Sequence, residues 1–378
     1  MSSAHQPLDD RLYHHLAKTF QKAGHHVTII CSTGILQSKE GGITWDSFEG
    51  NFMNSLSKIA AFRERLSIHN PDIIISQEPL PTLAAFLHKR KSARRVKIVY
   101  DITEWQPSQT QLRKYKHGMN RMWQAARLAC FSLFAAMLAD AFIFGELAKR
   151  FPYRYLFPFK KSTIVGYYPE KELFENHKPP GQNTKNEWVL GYTGILNEER
   201  GIFRFLEAVQ QFQEKWPSVK IRLLVVGWFE NVHFQQQFEQ KIAKLNEVIL
   251  MFYPQLPLLE FCRKVAEMDI CFDLRKTNWE NNHSLPIKLF YYMAAGKPMI
   301  YSRLKAIENE VSEIKECAQL VNPKNTSEIV EAIERYILHS EEYMRHGQNA
   351  RALFETRYNW NLVSIHLLRF VESIGHAK

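Results

Sequence analysis

Cysteine is scarce in this chain: Cys31, Cys130, Cys262, Cys271 and Cys317 among 378 residues, odd in number and without a C-x-x-C pair. That excludes a readable disulfide framework or zinc knuckle and suits a reducing compartment. Long apolar runs are missing as well. The longest uncharged apolar stretch, from Leu128 to Ala139, ends at Asp140 and falls short of the roughly 18 residues that a spanning helix needs, so no membrane crossing is expected. The opening MSSAHQPLDD has neither a basic n-region nor an apolar h-region, so no secretory signal is read and a cytoplasmic location is expected. Acidic residues are outnumbered, 39 Asp+Glu against 49 Lys+Arg, and the resulting charge of +10 points to anionic partners. Nucleic acid is not expected among them, because no recognition module accompanies the basic stretches.

With 45% hydrophobic and 23% charged residues, the composition is that of a soluble globular protein rather than a disordered, collagen-like or coiled-coil one. At this length two domains are expected. Short β-rich runs alternate with segments of helical period, the pattern of parallel sheets covered by helices. Strands are predicted at 26–31, 72–76, 96–100 and 141–144, and then at 188–193, 220–226, 248–252, 270–274, 298–301 and 319–321. Helices are predicted at 10–23, 52–69, 80–91 and 119–138, and later at 202–215, 234–245, 258–267, 286–295, 327–339 and 342–356. The Pro-, Gly- and Asn-rich NHKPPGQNTKNE reads as a linker, giving domains 1–178 and 179–360. A terminal helix over 361–378 is signalled by Val363, Leu367, Phe370, Val371 and Ile374 at helical spacing.

Two segments could carry chemistry. WVLGYTGILNEERGI leads a strand into Gly191 and Gly194 and then a loop to Arg200, so that Gly194 would admit a ligand to the backbone and Arg200 would offer a planar fork of donors to a phosphate. A tight turn with a solvated arginine is an equal reading. In HSLPIKLFYYMAAGKPMIY, Ser284 reads as an N-cap and Pro286 as a first-turn residue, so the helix N-terminus and Lys288 would offer positive charge to a diphosphate. The plain alternative is a capped helix with Lys288 in solvent.

The ordered series GYTGI…RG, LLVVG, MDICFDL, SLPIKLFYYMAAGKPMI, AQLVNPKNTSEIVEAI and YNW resembles the C-terminal domain of retaining GT-B glycosyltransferases of glycosyltransferase family 4. The first half is similar too, in DDRLYHHLAKTFQKAGHHVTII, PDIIISQEP, KIVYDITEW and LADAFIF followed by IVGYYPE. The resemblance implies an α/β GT-B fold, with two doubly wound Rossmann-like domains facing a cleft and the terminal helix crossing back to the first domain. It implies transfer of a sugar from a nucleotide-sugar donor, with retention, to a glycan or lipid-linked acceptor in cell-surface polysaccharide assembly. No metal or other cofactor is expected. By position it assigns Arg200, Lys288 and His283 to catalysis, Gly194, Ser284, Leu285 and Tyr291 to donor binding, and Asp101 and Glu104 to the acceptor side.

This chain departs from the family pattern at several points. Ile195 stands where the diphosphate loop usually has a basic residue, and His283 and Tyr291 stand where the family has two glutamates. Glu280 lies near enough in sequence for a loop shift to restore one carboxylate. In the Y-D-x-H-E stretch, Thr103 replaces the histidine, and Asp101 could equally cap the following segment. Only four residues precede the HQPLDDR segment, which suggests a mis-assigned start or a truncated chain and a central strand missing from the first sheet. These departures keep two rivals open: a non-catalytic sugar-nucleotide-binding or scaffolding homologue, and a nucleotide-sugar epimerase. The tract from Lys89 to Arg127 brings cations together with Met119, Met122 and Trp123, as in a helix lying peripherally on an anionic membrane at the inner face of the plasma membrane. A solvated basic face is the competing reading.

Overall fold

The computed structural model describes residues 1–107, 111–112, 115, 118–175, 187–245 and 248–375. The chain divides into two compact units, Met1–Tyr167 with Val363–Lys378, and Tyr168–Leu362. The division falls at Tyr167/Tyr168 rather than at 178. Its physical reason is that Tyr168 packs edge-on to Phe290 and Tyr358 while Phe174 is fully buried in the second unit's core. The expected linker lies outside the described residues except for its last residue, Glu187.

In the first unit, β1 (Val27–Ile29) pairs parallel with β3 (Ile43–Glu49), and β3 pairs antiparallel with β2 (Thr33–Glu40). Sequence reasoning missed the β2–β3 hairpin, although its turn, Gly41 and Gly42 with φ of 55° and 82°, is a strong hairpin signal. A second, parallel sheet runs β4 (Ile73–Ser76), β5 (Lys97–Ile102), β6 (Ala141–Phe144), β7 (Lys161–Ile164). The short exposed β7 was also missed. Met1 and Ser2 lie between these sheets: the Ser2 amide donates to Ile30 O and its carbonyl accepts from Ser32, while Met1 pairs with Ile75 and Gln77. The ladder groups expected to lack a partner there are thus bonded at this end.

Helix boundaries follow local chemistry. The second helix starts at Ser55 rather than 52, because the Asn54 side chain accepts the Ser57 amide, and it ends at Asn70 in the left-handed region. The first is a π-helix over Asp10–Ala17, capped by Asp9, that tightens to α over Lys18–Lys22. Helix Trp360–Gly375 buries Leu367, Val371 and Ile374, and its residues from Val363 onward belong to the first unit.

The second unit has one six-stranded parallel sheet, ordered β10 (Ile249–Tyr253), β9 (Lys220–Phe229), β8 (Glu187–Leu196), β11 (Ile270–Asp273), β12 (Met299–Ser302), β13 (Ala318–Val321). The chain winds outward from β8 in one direction and then from β11 in the other. The switch point of this doubly wound sheet lies between β8 and β11, where ligands bind beyond the carboxyl ends of the strands. Both faces are covered by apolar helices, and the two resulting cores include Phe205, Phe212 and Ile333 on one face and Leu289, Met293 and Phe354 on the other.

Candidate functional site

The switch point of the second unit gathers Gly194 from β8, Arg200 from the loop after it, Lys288, and two residues that sequence reasoning missed, Asp273 and Arg275. Gly194 has φ of 107°, and a Cβ there would meet the Lys288 amine at 3.1 Å. That amine donates to Thr193 O, lies 3.4 Å from Asp273 Oδ2 and sits 5.0 Å above the Tyr192 ring. Burial lowers its pKa to about 8, against the pull of Asp273, and the charges of Arg275 and Arg200 lower it further.

Asp273 is fully buried and holds both Nε and Nη2 of Arg275. Burial opposes its ionisation, but the cations Arg275, Lys288 and Arg200 hold its carboxyl far below the usual carboxylate range. Arg200 is placed by its backbone, its amide donating to Asn197 Oδ1 at 2.7 Å and its carbonyl accepting from Tyr192 OH at 3.0 Å. Its guanidinium makes no hydrogen bond among the described residues, and its pKa is depressed first by Arg275 and then by burial. Three cations therefore face Asp273, with Glu199 a second carboxylate acting on Arg200, and the remaining excess of positive charge suits an anionic ligand. The signal for Arg275 was present in ICFDLR, where one charge ends a buried strand of an α/β sheet and a second follows it two residues on.

Other expected residues lie differently. The helix that was to begin at Pro286 under a Ser284 cap covers only Lys288–Ala294, with no side-chain cap, and Ser284 instead closes the turn Asn281–His283. The amides of Leu289 and Phe290 donate to Pro286 O and Ile287 O, so these two are not free for the expected N-terminal anion site. Leu285 is half-buried against the core. Tyr291 is a correction: its ring packs edge-on to Phe261 and Phe174 in the core, so the ribose contact implied for it has no support in this geometry. His283 is held by Nδ1 on Trp279 O at 2.7 Å, its ring 4.8 Å from that indole.

Asp101 is also a correction. It is fully buried and takes Arg11 Nε and Nη2 at 2.7 and 2.6 Å and Gln77 Nε2 at 3.2 Å, so it is a structural ion pair closed to an acceptor. Glu104 is exposed and lines a pocket of about 280 Å³ in the first unit, with His5, Glu78, Thr103, Leu128 and Phe131. Burial raises the Glu78 carboxyl above its usual pKa, against hydrogen bonds from the Ser3 amide and Ser2 hydroxyl, each at 2.7 Å. The His5 imidazole bonds Asp9 at 3.1 Å and lies 3.8 Å from Glu78; chiefly through Asp9 its pKa rises to about 9, so it is charged at neutral pH. His5 was missed as a site residue, although H-x-x-x-D at a helix start was its signal. Among the described residues, no group of three or more His, Cys, Asp and Glu could hold a metal ion.

Residues 174–353 match the family model of glycosyl transferases group 1, and residues 10–144 that of Glycosyltransferase Family 4. Similar solved structures include sucrose-phosphate synthase from Thermosynechococcus elongatus, with TM-score 0.75 and 14% identity over 100% of this chain and 96% of that one. A glycosyltransferase from Rickettsia africae ESF-5 matches with TM-score 0.71 and 13% identity, over 100% and 98% of the two chains. Anabaena Alr3699/HepE in complex with UDP matches with TM-score 0.67 and 14% identity over 98% of each. No curated protein matches in sequence.

Proposed function

This chain has the GT-B fold and resembles family 4 and group 1 glycosyltransferases over its two halves, and from that premise we propose that it transfers a sugar from a nucleotide-sugar donor to a glycan or lipid-linked acceptor with retained configuration. The observation that carries this reading is the excess of positive charge around Gly194 at the switch point. Arg200 and Lys288 bind the donor diphosphate and take up the negative charge that grows as it leaves an oxocarbenium-like sugar. Arg275 supplies the cation absent at Ile195, and Asp273 keeps that guanidinium and the Lys288 amine in place. The departing phosphate oxygen takes the proton of an acceptor hydroxyl attacking on the same face.

On the first unit, Glu104 and Glu78 accept hydrogen bonds from acceptor hydroxyls, and charged His5 donates one. Titration calorimetry with nucleoside diphosphates, starting with UDP because the Anabaena protein binds it, tests the donor site. Binding that is lost in Arg200→Ala and Lys288→Ala supports the reading; no binding by the wild type to any nucleotide refutes it. Tyr291, buried where the family has a glutamate, favours a second reading, a homologue that binds the donor without transfer. Nucleotide binding without sugar release over a panel of acceptors would select it.

A further inference from the structure

Helix Met119–Leu138 turns an apolar face outward along its whole length. Its exposed residues are Met119, Met122, Trp123, Ala126, Cys130, Phe134 and Met137 at helical spacing, joined only by Asn120 and Arg127 at the margin. Met119 is 87% and Trp123 62% exposed. An amphipathic helix of a soluble domain normally turns such a face inward.

A second exposed group adjoins the helix end. Lys160 Nζ donates to the carbonyls of Ala136 and Met137 at 2.8 and 2.7 Å and to that of Ala139, and this fastens the segment before it to the helix C-terminus. That segment exposes Phe151, Tyr155, Leu156 and Phe159, the last at 99%.

Within this stretch of chain the uncompensated charge has one sign. Between Met119 and Ile164 the carboxylates are Asp140 and Glu146, and each already holds a lysine, Lys89 at 2.7 Å and Lys149 at 2.9 Å. Arg127, Arg150, Arg154 and Lys161 remain as cations beside the aromatic side chains. A second copy is a poor occupant, since a two-fold interface would set these cations against themselves. No helix among the described residues is long and apolar enough to cross a membrane, so the helix can enter a bilayer only in its plane.

We infer that this surface docks in the headgroup region of an anionic lipid bilayer, with Met122, Trp123, Phe151 and Phe159 inserted and Arg127, Arg150 and Arg154 on lipid phosphates. The surface keeps Met122, Trp123 and Arg127 of the basic tract read in the sequence and extends beyond it to Phe151 and Phe159; Lys89, at the start of that tract, is engaged by Asp140, and residues 113–114 and 116–117 lie outside the described residues. Leu128 and Phe131, on the adjoining flank of the same helix, line the pocket of the first unit. A pocket so placed takes the headgroup of a lipid-linked acceptor while its chain stays in the membrane; this clause rests on the transferase reading.

The test is flotation of the purified full chain with vesicles of phosphatidylcholine alone or mixed equally with phosphatidylglycerol. Binding is expected with the mixed vesicles only, falling as salt is raised. Arg127→Gln and Arg150→Gln should each weaken it about five-fold, and Trp123→Gln with Phe159→Gln should abolish it while circular dichroism and nucleotide affinity stay unchanged. Absence of flotation at low salt, flotation indifferent to these substitutions, or a lipid-free dimer that they dissociate would overturn the inference. Nucleotide affinity measured on the same samples separates that failure from failure of the donor site.

Discussion

On the proposed reading, the charge state of Lys288 sets donor affinity. With its pKa near 8 in the folded protein and 10.5 as the ordinary value, the amine is charged at pH 7 and loses its proton as pH rises through about 8. Nucleoside diphosphate affinity should therefore fall between pH 7 and 9, with net proton uptake on binding near pH 8. Calorimetry in buffers of different ionisation enthalpy measures both, and a flat profile would remove Lys288 from the site. Arg200→Ala should weaken binding about ten- to a hundred-fold, the worth of a charge-assisted hydrogen bond, with little change in melting temperature. Asp101→Asn should act oppositely, costing about 3–5 kcal/mol of stability because it leaves the Arg11 guanidinium buried without its counter-charge. Arg200, Lys288 and Gly194 were legible as candidates in the sequence, since they lie near a strand's end, follow it or open a helix. Asp101 was misplaced because a carboxylate at a strand end looks the same in sequence whether it meets solvent or Arg11, 90 residues away.

At the scale of elements, the end of β8 and the short helix Lys288–Ala294 work as one unit. Gly194→Ala should add about 1–2 kcal/mol of backbone strain at positive φ and press the new methyl toward the Lys288 amine. Donor affinity should drop more than stability does. Tyr291→Phe should leave nucleotide affinity within two-fold, because the ring lies in the core, and Tyr291→Glu should lower the melting temperature by burying a carboxylate among Phe174 and Phe261. A strong affinity loss in the phenylalanine variant, measured by calorimetry, would return Tyr291 to the ribose. The helix start was misread because Ser284 and Pro286 carry the sequence signs of a cap and first turn. The turn Asn281–His283 took Ser284, and the 3₁₀-type bonds to Pro286 and Ile287 delayed the helix to Lys288.

At the scale of the molecule, each unit has its own sheet or sheets and its own core, so unfolding need not be two-state. A nucleoside diphosphate at 100 times its dissociation constant should add about 2.7 kcal/mol to the unit that holds it. In scanning calorimetry only the second unit's transition should move, a result that a donor site elsewhere would not give.

The sequence by itself determined the alternation of strand and helix, the two-domain α/β architecture and the glycosyltransferase resemblance. Those rest on local periodicity and on motif order, which survive without knowledge of contacts. Tertiary structure alone decided that Asp273 and Arg275 join the cation cluster, that Asp101 and Tyr291 belong to the interior, and that one helix keeps an apolar face outside. Each depends on which distant residue fills the space beside a side chain: Arg11 beside Asp101, Phe174 beside Tyr291, Lys288 beside Asp273. Spacing along the chain says nothing of such a neighbour until the sheet order brings the strand ends together.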